Sequence, residues 1–146
     1  MTYVLLHIFH LFAALVFIGT VAFEVLFLEP VQQRLSADVR KALGRELAPR
    51  VRAVMPWVLL VLYGSGLGMA WQYRSVLASP GSSAFGTLLL IKIVLATSVL
   101  LHVITAMTLA RRKRLHAALR ARVHLSVFCH MVGIVLLAKT MFHISW

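Results

Sequence analysis

Six ionisable residues lie inside apolar stretches long enough to cross a bilayer: His10, Glu24, Lys92, His102, His130 and Lys139. Charge in hydrocarbon is costly, so such groups face a bundle interior and mark a pathway, a cofactor or a proton relay. Neutral imidazole is a common ligand of haem iron, and the core of a helical bundle is a usual place to hold a cofactor. His10, His102 and His130 each sit more than one helical turn inside the apolar slab. Three such residues in so small a chain point to a bound group. His116 and His124 lie in or beside a basic segment and read as interfacial, and His7 and His143, near the outer surface, allow the same reading.

Haem b fits this residue set best. There is no CxxCH motif, so attachment would be non-covalent. His10 is the first choice of axial ligand, and Lys92 ligates from a facing helix or pairs with a propionate. Lys139 is a second propionate partner, while His102, His130 and His143 are candidates for the second ligand, the propionate contacts or a proton path. Copper is the rival, with His10, His102, His130 and His143 as its candidate ligands. Soft Cu(I) sites use closely spaced Met and Cys. The six methionines are scattered, and Met141-x-His143 is the one suggestive pair. Glu24, Lys92 and Lys139 also suit snorkelling or pairing without any cofactor. No GxSxG elbow, phosphate loop or HExxH is present, so chemistry would belong to a cofactor, with the protein controlling access, protons and potential.

The elements that must position these residues follow from composition. Of 146 residues, 61% are hydrophobic and 13% charged, and the mean hydropathy is +0.91. That balance belongs to an integral membrane protein. Four spans are expected, at about Tyr3–Leu28, Val54–Tyr73, Phe85–Ala110 and Val123–Ile144. The expected fold is all-α, a single four-transmembrane-helix bundle over 1–146. Glu29-Pro30 ends the first span, because proline cannot extend the hydrogen-bond ladder. The N-terminus has neither a basic n-region nor a small-residue cleavage site and reads as a retained span. Trp57, Trp71 and Trp146 are aromatic anchors. Gly64-Ser-Gly66-Leu-Gly68 allows a neighbouring helix close approach and leaves room for a flat macrocycle. Ser79-Pro-Gly-Ser-Ser83 is a turn. The segment from Ser36 to Glu46 is either a short amphipathic surface helix capped by Ser36 or Asp38, or a solvated basic loop. No clear internal repeat is seen. The single cysteine, Cys129, excludes an internal disulfide.

The net charge of +11 suggests nucleic acid until the positions are read. Apart from Arg74, Lys92 and Lys139, every Lys and Arg lies in Arg34–Arg52 or Arg111–Arg122, six in each. Such clusters between apolar runs orient a membrane protein and meet anionic lipid headgroups, so no nucleic-acid partner is expected. The positive-inside rule places both basic segments in the cytoplasm and both termini outside, as N-out/C-out in a bacterial inner membrane. At about 1.5 Å per residue, His10 and Lys92 then lie roughly 10 Å below the outer surface. Lys139 and His143, within the last two turns of span four, join that outer layer. Glu24, His102 and His130 form an inner one. His130 and Lys139 are nine residues apart and point in nearly opposite directions, which suggests a second occupant such as a homodimer partner.

The order His10 on span one, Met55-Pro56 opening span two, Lys92 and His102 on span three, and Lys139 closing span four resembles the HemJ-type protoporphyrinogen oxidase family. Val54-Met-Pro-Trp-Val and His124-Leu-Ser-Val-Phe-Cys-His130 look like stretches of the related CopD-like membrane proteins. The likeness runs over nearly the whole chain. It implies that His10 is a haem b ligand, that Lys92 is functionally required, and that electrons pass to or from a quinone or porphyrin. Where that family has Leu-Pro-Arg late in span one, this chain has Phe23-Glu24-Val25. Where it has Asn-Glu-x-Pro entering span four, this chain has Val123-His124-Leu-Ser. The additional Glu24 and His130 imply a relative with altered chemistry.

Overall fold

The computed structural model describes residues 1–144 except Lys113 and Leu115, and of Ala117 only the backbone. Trp146, expected as an anchor at the far interface, lies outside the described residues. Every regular element is helical, and no strand occurs among the described residues. Four helical stretches are long and apolar enough to cross a membrane: Thr2–Arg34, Ala37–Gln72, Ala84–Arg111 and Ala118–Thr140.

The first stretch consists of α1 (Thr2–Phe23), a π-helical turn (Glu24–Leu28) and α2 (Glu29–Arg34). It runs through Glu29-Pro30 where the sequence predicted a stop. Proline lacks an N–H, and its ring meets the carbonyl four residues back in a regular α-helix. The π-helical turn just before it relieves that conflict by widening the ladder, with the Glu29 N–H bonded to the Glu24 carbonyl five residues back. Pro30 then sits in the first turn of α2, where a missing donor costs nothing.

The chain reverses over two residues, Leu35 (extended, φ −81°, ψ 150°) and Ser36. The Ser36 carbonyl accepts the Arg40 N–H at 3.0 Å and so opens α3 (Ala37–Gln72). The segment after Ser36 is therefore helical, and it is continuous with span two rather than a separate surface helix or a loop. Pro49 and Pro56 both lie within α3. At about 1.5 Å per residue these two stretches are roughly 50 Å long, well beyond a hydrocarbon core of about 30 Å. The surplus carries Arg34–Arg52. α1 packs on α3, and together they form one compact unit, Met1–Gln72, with Ala13, Phe17, Leu59 and Ser65 buried.

Tyr73–Trp146 is a second compact unit. It opens with the short α4 (Arg74–Ala78) and a 3-10 turn (Pro80–Ser82), in the segment expected to turn. Ser83 caps α5 (Ala84–Arg111), its hydroxyl accepting the Gly86 N–H at 3.1 Å. Thr87 reaches back to donate to the Pro80 carbonyl at 2.9 Å, which binds the turn to the helix. α6 (Ala117–Thr140) packs antiparallel along α5, with Val99, Val127 and Met131 buried between them. At the far end Phe85 lies between Tyr73 and Phe142, with ring centroids at 5.3 and 5.8 Å. α6 starts six residues before the expected Val123 and stops before the expected Ile144. Both hairpins leave large apolar side chains exposed along their length, among them Phe12, Leu15, Leu67, Leu101 and Leu136. Such a surface suits a lipid solvent, not water.

Candidate functional site

The deep histidines are built into the two hairpins in different ways. In the first hairpin, His10 on α1 meets α3. Its Nδ1 lies 3.0 Å from the Leu62 carbonyl oxygen and 3.3 Å from Ser65 Oγ. A carbonyl only accepts, so Nδ1 carries the proton and the lone pair of the neutral ring is on Nε2. Ser65 is buried, and its hydroxyl donates back to the Val61 carbonyl at 2.5 Å, leaving the oxygen able to accept from His10. The ring also lies against Gly66, where an added Cβ would sit 3.3 Å from His10 Cε1. Two positions on, a Cβ at Gly68 would meet Leu6 Cδ1 at 3.1 Å. The small residues of span two thus admit α1 itself, and the room expected for a macrocycle at Gly66 and Gly68 is taken by His10 and Leu6.

In the second hairpin, His102 on α5 and His130 on α6 face each other with ring centroids 5.4 Å apart. Each Nδ1–H donates to the carbonyl one turn back on its own helix, His102 to Ser98 at 2.8 Å and His130 to Ser126 at 2.7 Å. Each Nε2 then accepts from a serine hydroxyl of the opposite helix: Ser126 Oγ at 3.3 Å from His102, and Ser98 Oγ at 3.2 Å from His130. The two halves are related by an approximate two-fold axis, and the sequence carries its trace. Ser98-Val-x-x-His102 matches Ser126-Val-x-x-His130. The two valines of that repeat, Val99 and Val127, are both only 2% exposed. All four acidic residues of the chain, Glu24, Glu29, Asp38 and Glu46, lie in the first unit. Within the second hairpin the two rings and the two serines satisfy each other's hydrogen bonds.

The remaining candidates separate along the chain. Lys92 lies two turns into α5, half-buried, with no hydrogen bond or ion pair for its ammonium among the described residues. Lys139 is exposed in the last turn of α6, where a cation meets the negative end of the helix dipole. His143 is exposed beyond the end of α6, its N–H bonded to the Thr140 carbonyl at 2.9 Å. Its expected position inside the last two turns is thus corrected: α6 ends at Thr140. Met141, by contrast, is buried. Glu24 occupies the first position of the π-helical turn. Tyr3 stacks on His7 one turn below it, with centroids 6.2 Å apart. Among the described residues, no group of three or more His, Cys, Asp or Glu is gathered as for a multidentate ion site.

Sequence reasoning missed Leu62, Ser65, Ser98 and Ser126. The serines were legible as small polar residues one turn from a histidine or inside a glycine run, and the Ser-Val-x-x-His repeat was too short to register as one. The Leu62 carbonyl had no signal at all. Comparison of the chain with protein-family models, curated proteins and solved structures finds no match, so function rests on these residues and their chemistry.

Proposed function

We propose that this chain is a haem b-binding redox protein of a bacterial inner membrane, passing electrons to or from a quinone or porphyrin, with His10 as an axial ligand. The observation that carries the reading is the state of His10. Its Nδ1–H is committed to a backbone carbonyl at 3.0 Å, the outer-shell arrangement that fixes a ligating imidazole and puts its donor pair on Nε2. His102 and His130 have the same tautomer, and their Nε2 atoms accept from serines. Lys92, Lys139 and His143, the other candidates read from the sequence, lie in the second unit. Bound haem would supply one-electron chemistry. The chain's own residues hold the ligand ring, exclude water with apolar helices and set the local charge. The two basic segments face the cytoplasm in this reading, with both termini outside and anionic lipid against Arg34–Arg52 and Arg111–Arg122.

The test is an optical spectrum of the purified protein. A dithionite-sensitive Soret band in the wild type, lost in His10→Ala, is expected. Absence of that band after haem supplementation sinks the proposal. Copper by metal analysis without haem would replace it with a copper-handling protein similar to the CopD-like proteins.

A further inference from the structure

The contacts made by His10 go beyond a ligand assignment, because they say what sets the ligand's orientation and electronics. Three features of one turn of α3 converge on one edge of the ring. The Leu62 carbonyl accepts from Nδ1–H at 3.0 Å. Ser65 Oγ stands 3.3 Å from the same nitrogen, with its own proton directed to the Val61 carbonyl at 2.5 Å. Gly66 lets the ring lie where any side chain would press on Cε1 at 3.3 Å. These three neighbours come from one turn of one helix.

Each feature has a separate consequence. The carbonyl fixes the tautomer. The serine oxygen adds a second acceptor to the same N–H, which gives the imidazole more anionic character and makes Nε2 a stronger donor. The glycine sets the distance of the ring from α3. A Cβ at 3.3 Å would force a shift of a few tenths of an ångström, and ligand geometry is sensitive on that scale. Neither Ser65 nor Gly66 would touch iron.

We infer that Ser65 and Gly66, with the Leu62 carbonyl, are positioning residues that fix the tautomer, the aim and the donor strength of His10. The inference rests on the haem reading of His10 and deepens it by naming what regulates that site.

Full-length protein in detergent, as wild type, Ser65→Ala, Ser65→Thr and Gly66→Ala, tests it by haem titration and by the haem midpoint potential. Imidazole ¹⁵N resonances of the haem-free protein report the tautomer directly. Ser65→Ala is expected to weaken haem retention about tenfold, the lower end for loss of an outer-shell partner, and to raise the midpoint potential. Ser65→Thr keeps the hydroxyl and restores both. Gly66→Ala weakens retention with the ¹⁵N tautomer unchanged. A wild type that binds haem, with Ser65→Ala and Gly66→Ala matching it in affinity and potential, overturns this inference alone. A His10 resonance showing the proton on Nε2 overturns it even if haem binds. No Soret band in any form overturns the haem reading and this inference together. If Ser65→Ala does not fold, Gly66→Ala and the wild-type ¹⁵N spectrum decide.

Discussion

The three histidines within the apolar helices share one tautomer and differ in the hairpin that holds them. All three give Nδ1–H to a backbone carbonyl. In His102 and His130 the opposite pair is engaged by a serine across the helix crossing, which makes them a reciprocal clasp. Interhelical hydrogen bonds of this kind inside membranes contribute about 0.6 kcal/mol on average and up to about 1.7 kcal/mol. Ser98→Ala and Ser126→Ala should each lower stability by about 1 kcal/mol in reversible unfolding from mixed micelles, without altering any Soret band. Wild-type midpoints in both variants would show that the clasp is incidental. That these histidines lie within long apolar helices was legible in the sequence. The clasp was not, because it depends on which serine the neighbouring helix brings within about 3 Å.

At the scale of elements, the helices are longer and more continuous than the apolar runs that reveal them. A proline read as a stop is absorbed by the π-helical turn at Glu24–Leu28, and a basic segment read as a connection is the first part of α3. Local propensity cannot foresee this, since the cost of one wide turn is set against the packing of the whole hairpin. Glycines test the packing directly. An alanine Cβ at Gly86 would stand 2.9 Å from the Pro80 carbonyl oxygen and 3.0 Å from Val76 Cγ1, and backbone cannot yield as a side-chain tip can. Gly86→Ala should destabilise by about 1–3 kcal/mol. At Gly64 nothing lies within 4 Å, so Gly64→Ala should stabilise by about 0.5–1 kcal/mol through helix propensity. The same micelle unfolding assay reads both, and equal effects at the two positions would refute the turn packing. Gly64 and Gly66 look alike in the sequence, yet only Gly66 carries the ring of His10.

For the whole molecule, charge is divided unequally between two hairpins. The first holds all four carboxylates and six of the fifteen Lys and Arg, leaving nine basic residues and no acid in the second. A hairpin of that charge is expected to enter the membrane with its basic turn retained on the cytoplasmic side. Alkaline phosphatase fused after Ile144 should be active in a bacterial host, and fused after Arg114 inactive, with fluorescent-protein fusions giving the reverse pattern. Active phosphatase at Arg114 would invert the topology.

By itself the sequence determined that the chain is all-helical, that four helices are apolar enough to cross a membrane, and which few ionisable residues lie within them. Those properties follow from composition and run length, which act locally and survive any packing arrangement. Tertiary structure alone decided the two-residue reversal at Leu35–Ser36, the end of α6 before His143, the Ser98–His130 and Ser126–His102 pairs, and the seat of His10 on Leu62, Ser65 and Gly66. The histidine pairs and the seat of His10 depend on partners 24 to 56 residues away or on a backbone carbonyl, and a carbonyl belongs to every residue alike.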